Sequence, residues 1–126
     1  MSEDDVEVLR PGPGRRMCAV RYRGKAPAKD FLEGLERSSQ NKFKAVIDEL
    51  LTNGWITNRE RFHKLHASGK PDVYEMKVHD GGGMRLFCIL HGSDWYATHG
   101  VISKPNRQLA EEIRKARRIY KGRGAQ

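Results

Sequence analysis

Cysteine is scarce in this chain of 126 residues, which has only Cys18 and Cys88. Both stand inside apolar, strand-like runs and their spacing fits no zinc motif. That argues against a disulfide scaffold, and both are expected as reduced core residues. Long hydrophobic runs are missing as well. None approaches the ~20 apolar residues of a membrane span, and no charged n-region with an apolar h-region precedes the domain, so a cytoplasmic protein is expected. Acid is short against base: 16 Asp and Glu face 24 Lys and Arg, giving a formal net charge of +8 and a sequence pI near 9.8. A polyanion or an acidic protein is then the expected partner. No internal repeat is present, and the length suits one domain with one modest core.

The charge that is present is unevenly placed. Residues 104 to 123 hold eight Lys or Arg against two Glu, whereas the first nine residues carry four acids and no base. Residues 1–16, with PGPG at 11–14, read as a flexible lead-in to a single domain over 17–126. MCAVRY (17–22) alternates as a first strand. Pro27 suits the first position of a helix carrying Ala28, Phe31, Leu32 and Leu35. Phe43, Val46, Ile47, Leu50 and Leu51 mark a second, amphipathic helix. Ser38 and Ser39 are expected to cap its start, and Gly54 to end it in the left-handed conformation.

FHKL (62–65) then leads to strands over 73–79, 84–90 and 95–102. Short glycine turns make these three strands an antiparallel meander. The turn Gly81-Gly82-Gly83 lacks the following helix that a nucleotide-binding loop needs, so it reads as a hairpin. That hairpin brings Lys77 and Arg85 together, two cations on one small sheet, which suggests a phosphate-handling surface. After Pro105, Leu109, Ile113, Ala116 and Tyr120 form one apolar stripe. Arg107, Arg114, Arg117, Arg118 and Lys121 occupy most of the remaining surface of that last helix. The expected class is α+β: a strand, a helical hairpin, a three-stranded meander and a C-terminal helix.

In order and spacing, FLEGL, VIDELLTNG, FHKL, YEMKV, MRLF, THGVISKP and EEIRKAR resemble the RelE/ParE toxin superfamily, in its HigB-like branch found on phages and mobile elements. The match covers roughly residues 17–120. The resemblance implies a small RelE-like fold and the toxin of a type II toxin–antitoxin pair, with a cognate helix-turn-helix antitoxin. Many members cut messenger RNA, commonly on the ribosome; the ParE side poisons DNA gyrase instead. For this chain no cofactor is expected. A catalytically degenerate phage protein that binds nucleic acid is a third alternative.

RNA cleavage by the RNA's own 2′-hydroxyl needs a base, charge stabilisation at the phosphorane, and an acid for the leaving 5′-oxygen. Arg85, a permanent bidentate cation inside an apolar run, is the candidate for the middle task. It can equally pair with Glu75 across the hairpin, and the two roles are compatible. Lys77, which falls where the family carries a basic residue, is a candidate to neutralise phosphate or exchange a proton, against the plain reading of an exposed strand lysine. Lys104 matches the family's basic residue ending the last strand, although Ser103 replaces a lysine common there.

His99 is either an acid–base group or a buried, hydrogen-bonded histidine sharing a strand face with Ala97 and Val101. His63 and His66 lack a third ligand, so no metal site is expected. Tyr120 belongs to the core stripe, and by analogy with relatives it is also a candidate to stack on a base. Lys64, Arg107, Arg114, Arg117 and Arg118 are candidate RNA contacts. The basic helix is alternatively a solvated face or the contact for an acidic antitoxin segment.

Overall fold

Runs such as MCAV and LFCI leave no polar side for solvent, and a strand of that kind needs cover on both faces. The fold supplies it. A computed structural model describes residues 3–80, 83–102 and 109–125. After a 3-10 turn at Glu3–Asp5 come β1 (Val6–Pro11), β2 (Arg16–Val20), α1 (Pro27–Glu33), α2 (Arg37–Asn53), β3 (Phe62–Leu65), β4 (Val73–Val78), β5 (Met84–His91), β6 (Asp94–Ile102) and α3 (Leu109–Lys121). One six-stranded sheet runs in the order β1-β2-β6-β5-β4-β3.

The expected meander β4-β5-β6 is its centre but not its whole. β3 extends it on one side by antiparallel pairing with β4. On the other side β2 joins β6 in parallel, and β1 closes the edge against β2. Residues 6–11, expected within a flexible lead-in, are thus an edge strand. Short-range turn signals cannot reveal the β2–β6 pairing, because its partners, such as Cys18 and Tyr96, are far apart in sequence. Among the described residues, no helix is long and apolar enough to cross a membrane.

The two helical layers follow from side-chain periodicity. Phe43, Val46, Ile47, Leu50 and Leu51 of α2 are all buried, each contributing roughly 1.5–3 kcal/mol by leaving water. They meet Met17, Ala19, Met76, Val78, Leu86, Cys88, Trp95 and Ala97 from one face of the sheet. Gly54 ends α2 at φ 80°, with its N–H donating to the Leu50 carbonyl. The serines do not cap the start: α2 begins at Arg37 after Glu36, with no side-chain cap bond. Ser39 instead donates to Asp80 just beyond β4 (3.0 Å). α1 rests on β6 where Gly100 permits it, since a Cβ there would lie 2.2 Å from the Phe31 ring.

The opposite face carries α3. Ile113, Ala116, Ile119 and Tyr120 pack on Cys18, Val20, Phe87, Ile89 and Tyr96. Both cysteines are buried and outside any disulfide, and burial pushes the Cys88 thiol up to about 12, which keeps it protonated and inert.

Candidate functional site

Strand alternation decides which side chains meet. In β4, Met76 and Val78 point to the α2 core, so Glu75 and Lys77 project from the α3 face. In β5, Leu86 takes the α2 side and Arg85 the other. The register pairs Lys77 with Arg85 and Glu75 with Phe87, and β3 adds His63 opposite Glu75. His63, Lys77 and Arg85 therefore converge on one carboxylate.

Glu75 is fully buried. Its Oε2 accepts a hydrogen bond from Arg85 Nη1 at 2.8 Å. Its Oε1 lies 3.7 Å from both Lys77 Nζ and His63 Nε2. Both contacts are too long for a hydrogen bond, and Oε1 has no hydrogen-bond partner among the described residues. His63 Nδ1 bonds the Arg59 carbonyl at 3.0 Å, and because a carbonyl only accepts, that nitrogen carries the proton. The side chains of Lys77 and Arg85 keep 27% and 22% exposure. One carboxylate against a lysine and an arginine leaves a formal +1 before His63 is counted. The bond to Glu75 is Arg85's one side-chain hydrogen bond among the described residues. The guanidinium is thus anchored at one nitrogen, with further N–H donors for an incoming oxyanion.

His99 is not part of this cluster. A bulge between Phe87 and Cys88 pairs Phe87 with His99 but Cys88 with Ala97, making Thr98 the extra residue. The bulge breaks simple alternation, so Ala97 joins the α2 core while His99 faces α3. There it stacks on Phe87, ring centroids 4.8 Å apart. Its Nε2 lies 3.1 Å from Glu112 Oε1 and its Nδ1 3.1 Å from Thr98 Oγ1. Burial, opposed by the hydrogen bond to Glu112, lowers the imidazole to about 4. It is neutral at pH 7, with Nε2–H donating to Glu112, while the single Thr98 hydroxyl proton is shared between His99 Nδ1 and the Phe87 carbonyl at 3.3 Å. At 2% exposure it ties β6 to α3.

The remaining basic candidates separate by what they touch. Arg117 donates from Nε, Nη1 and Nη2 to the carbonyls of Pro71, Ser68 and Gly69 at 2.8–2.9 Å, clamping the β3–β4 loop to α3. Arg114 and Arg118 are exposed, Arg114 pairing with neighbouring Glu111 (3.0 Å). Lys64 lies 4.0 Å from Asp72. Tyr120 is 8% exposed, packed near Tyr96 with the Arg123 guanidinium over its ring. Ser103, Lys104 and Arg107 lie outside the described residues, as do Gly81 and Gly82. At the end of that turn the Gly83 N–H donates to the Asp80 carbonyl (2.8 Å).

His63 is the member of the cluster that was considered only as a metal ligand. The available signal was the alternation of FHKL, which puts His63 and Leu65 on one face once β3 is taken as a strand.

A family model described as phage derived protein Gp49-like (DUF891) matches residues 30–121. Comparison with curated proteins returned no match, and comparison with solved structures returned none either.

Proposed function

Because the chain belongs to the Gp49-like family of phage-derived proteins, part of the RelE/toxin-like phage-derived group, we propose that it is a toxin that cuts messenger RNA without a metal, on translated transcripts, and is held in check by a cognate helix-turn-helix antitoxin. Members of the family are often toxins of toxin–antitoxin systems. The observation that carries the nuclease reading is the Arg85 guanidinium, pinned at one nitrogen by buried Glu75 beside Lys77 on a partly open face.

In this reading the RNA 2′-oxygen attacks the adjacent phosphorus as its proton passes to a base. The phosphorus–5′-oxygen bond breaks, leaving a 2′,3′-cyclic phosphate and a 5′-hydroxyl, whose proton an acid supplies. Arg85 donates to the phosphorane oxygens as their charge grows, and the fixed carboxylate means it need not reorganise to do so. Lys77 neutralises the second non-bridging oxygen. His63, tautomerically set by Arg59, offers Nε2 for proton exchange near the same centre. His99 acts at a distance, holding β6 to α3 through Glu112 rather than meeting the substrate.

The test is end-mapping in cells induced for the toxin. Early new 5′ ends inside coding frames, absent with Arg85→Ala in a variant shown to be folded, is the expected result. Stable messages alongside trapped gyrase–DNA breaks would overturn the reading in favour of a gyrase poison. Stable messages without such breaks, from a protein that still binds RNA, would mark it as a binder that does not cut.

A further inference from the structure

At the β3 edge of the sheet, His63 of the Arg85–Lys77 cluster also lines a second feature, whose aromatic floor belongs to the α2 side. Trp55, in the segment between α2 and β3, is 44% exposed, yet its indole is fixed from one side. It stands edge-on to Phe62 (5.3 Å, 81°) and Tyr74 (5.7 Å, 82°) and lies 6.5 Å from buried Trp95. This rigid platform opens into a cleft of about 440 Å³ along the outer edge of β3, within the roughly 300–1,000 Å³ of small-molecule sites.

The polar lining of the cleft is mostly basic: Arg59, Lys64, His63 and His66 reach it, and no acidic side chain does. Arg59 and His66 are exposed with no side-chain partner among the described residues. His63 belongs to both places, lining the cleft while its Nε2 sits 3.7 Å from Glu75.

We propose that this cleft is a nucleobase subsite: a base next to the phosphate held by Arg85 and Lys77 stacks on Trp55, while Arg59 and His66 take the flanking phosphate. An exposed aromatic held rigid among cations has the chemistry of a single-strand stacking platform, which gains from the π-face of any base and from backbone charge. The inference rests on the RNA reading of the adjoining face.

The test uses the full chain and short 2′-O-methyl oligonucleotides, which cannot cleave themselves, either complete or with one abasic position. The only other tryptophan, Trp95, is buried, so stacking reports through Trp55 emission. The complete strand is expected to quench it and to bind roughly 5- to 150-fold more tightly than the abasic strand of equal charge. Trp55→Ala should remove that difference. Trp55→Phe, which keeps a ring against Phe62 and Tyr74, should retain most of it and guards against a misfolded alanine variant. Equal affinity for the two strands, or a difference that survives Trp55→Ala, would overturn the subsite. Quenching by an acidic peptide with no response to either strand would overturn it too, in favour of a protein partner. Base discrimination lost while Arg85-dependent cleavage persists refutes the subsite alone. Discrimination kept with no cleavage refutes only the nuclease.

Discussion

Arg85→Ala is the substitution on which the catalytic reading turns, and the pairing with Glu75 complicates it. Removing the guanidinium strands a fully buried carboxylate whose remaining neighbours, Lys77 and His63, stand at 3.7 Å. Breaking a buried pair costs about 3–5 kcal/mol. Here Lys77 and His63 stay close and Arg85 is one-fifth exposed, so about 2–4 kcal/mol is expected. A chain of this length loses roughly 0.26 kcal/mol of stability per degree near its midpoint, so Tm should fall by roughly 8–15 °C. Lost toxicity in the single variant could therefore reflect unfolding.

The double variant Arg85→Ala/Glu75→Gln separates the two effects, because a carboxamide leaves no buried charge uncompensated. Thermal denaturation of wild type, both singles and the double should give a coupling of about 1–3 kcal/mol. Cleavage, measured below the lowest Tm, should stay at least about a hundredfold down in the double relative to Glu75→Gln alone. A single variant costing under ~1 kcal/mol with no coupling would refute the buried-pair argument. A stable double variant that cuts at the rate of Glu75→Gln would refute the role of Arg85 in the transition state.

His99 titrates at about 4 in the fold against roughly 6.5 in the unfolded chain. The unfolded state therefore binds the extra proton between those values. The contribution is complete above pH 6.5 and is lost as pH falls to 4, by about 3 kcal/mol; urea midpoints from pH 7.5 to 4 should drop more for wild type than for His99→Gln. Arg117→Ala should cost about 1–2 kcal/mol through its carbonyl bonds and speed proteolysis at 68–71. Charge reversal at Arg114 and Arg118 should leave stability within about 0.5 kcal/mol of wild type while flattening the salt dependence of RNA affinity. Cleavage is expected to persist in excess EDTA; activity restored only by added magnesium or zinc would defeat the metal-free mechanism.

Local periodicity and turn chemistry determined much of this molecule by themselves. The apolar steps of α2, proline at the start of α1, glycine at the end of α2, and a glycine turn between β4 and β5 are short-range signals, each set by neighbouring backbone conformations. Because one hairpin follows from one turn, the meeting of Lys77 and Arg85 across it was readable from the chain, as was the possibility of Glu75 joining them. Long-range pairing was not. β2 beside β6 depends on closing a long loop whose reward is burial shared by distant segments, and with that pairing β1 and β3, local partners of β2 and β4, become the two edges of one sheet. Tertiary structure made His63, set aside as a metal ligand, a neighbour of Glu75 by pairing β3 with β4. It also gave Arg117, a candidate phosphate contact, three carbonyl bonds that clamp the β3–β4 loop. A single inserted residue at Thr98 moved His99 to the α3 face, because in a period of two one extra residue exchanges inside for outside.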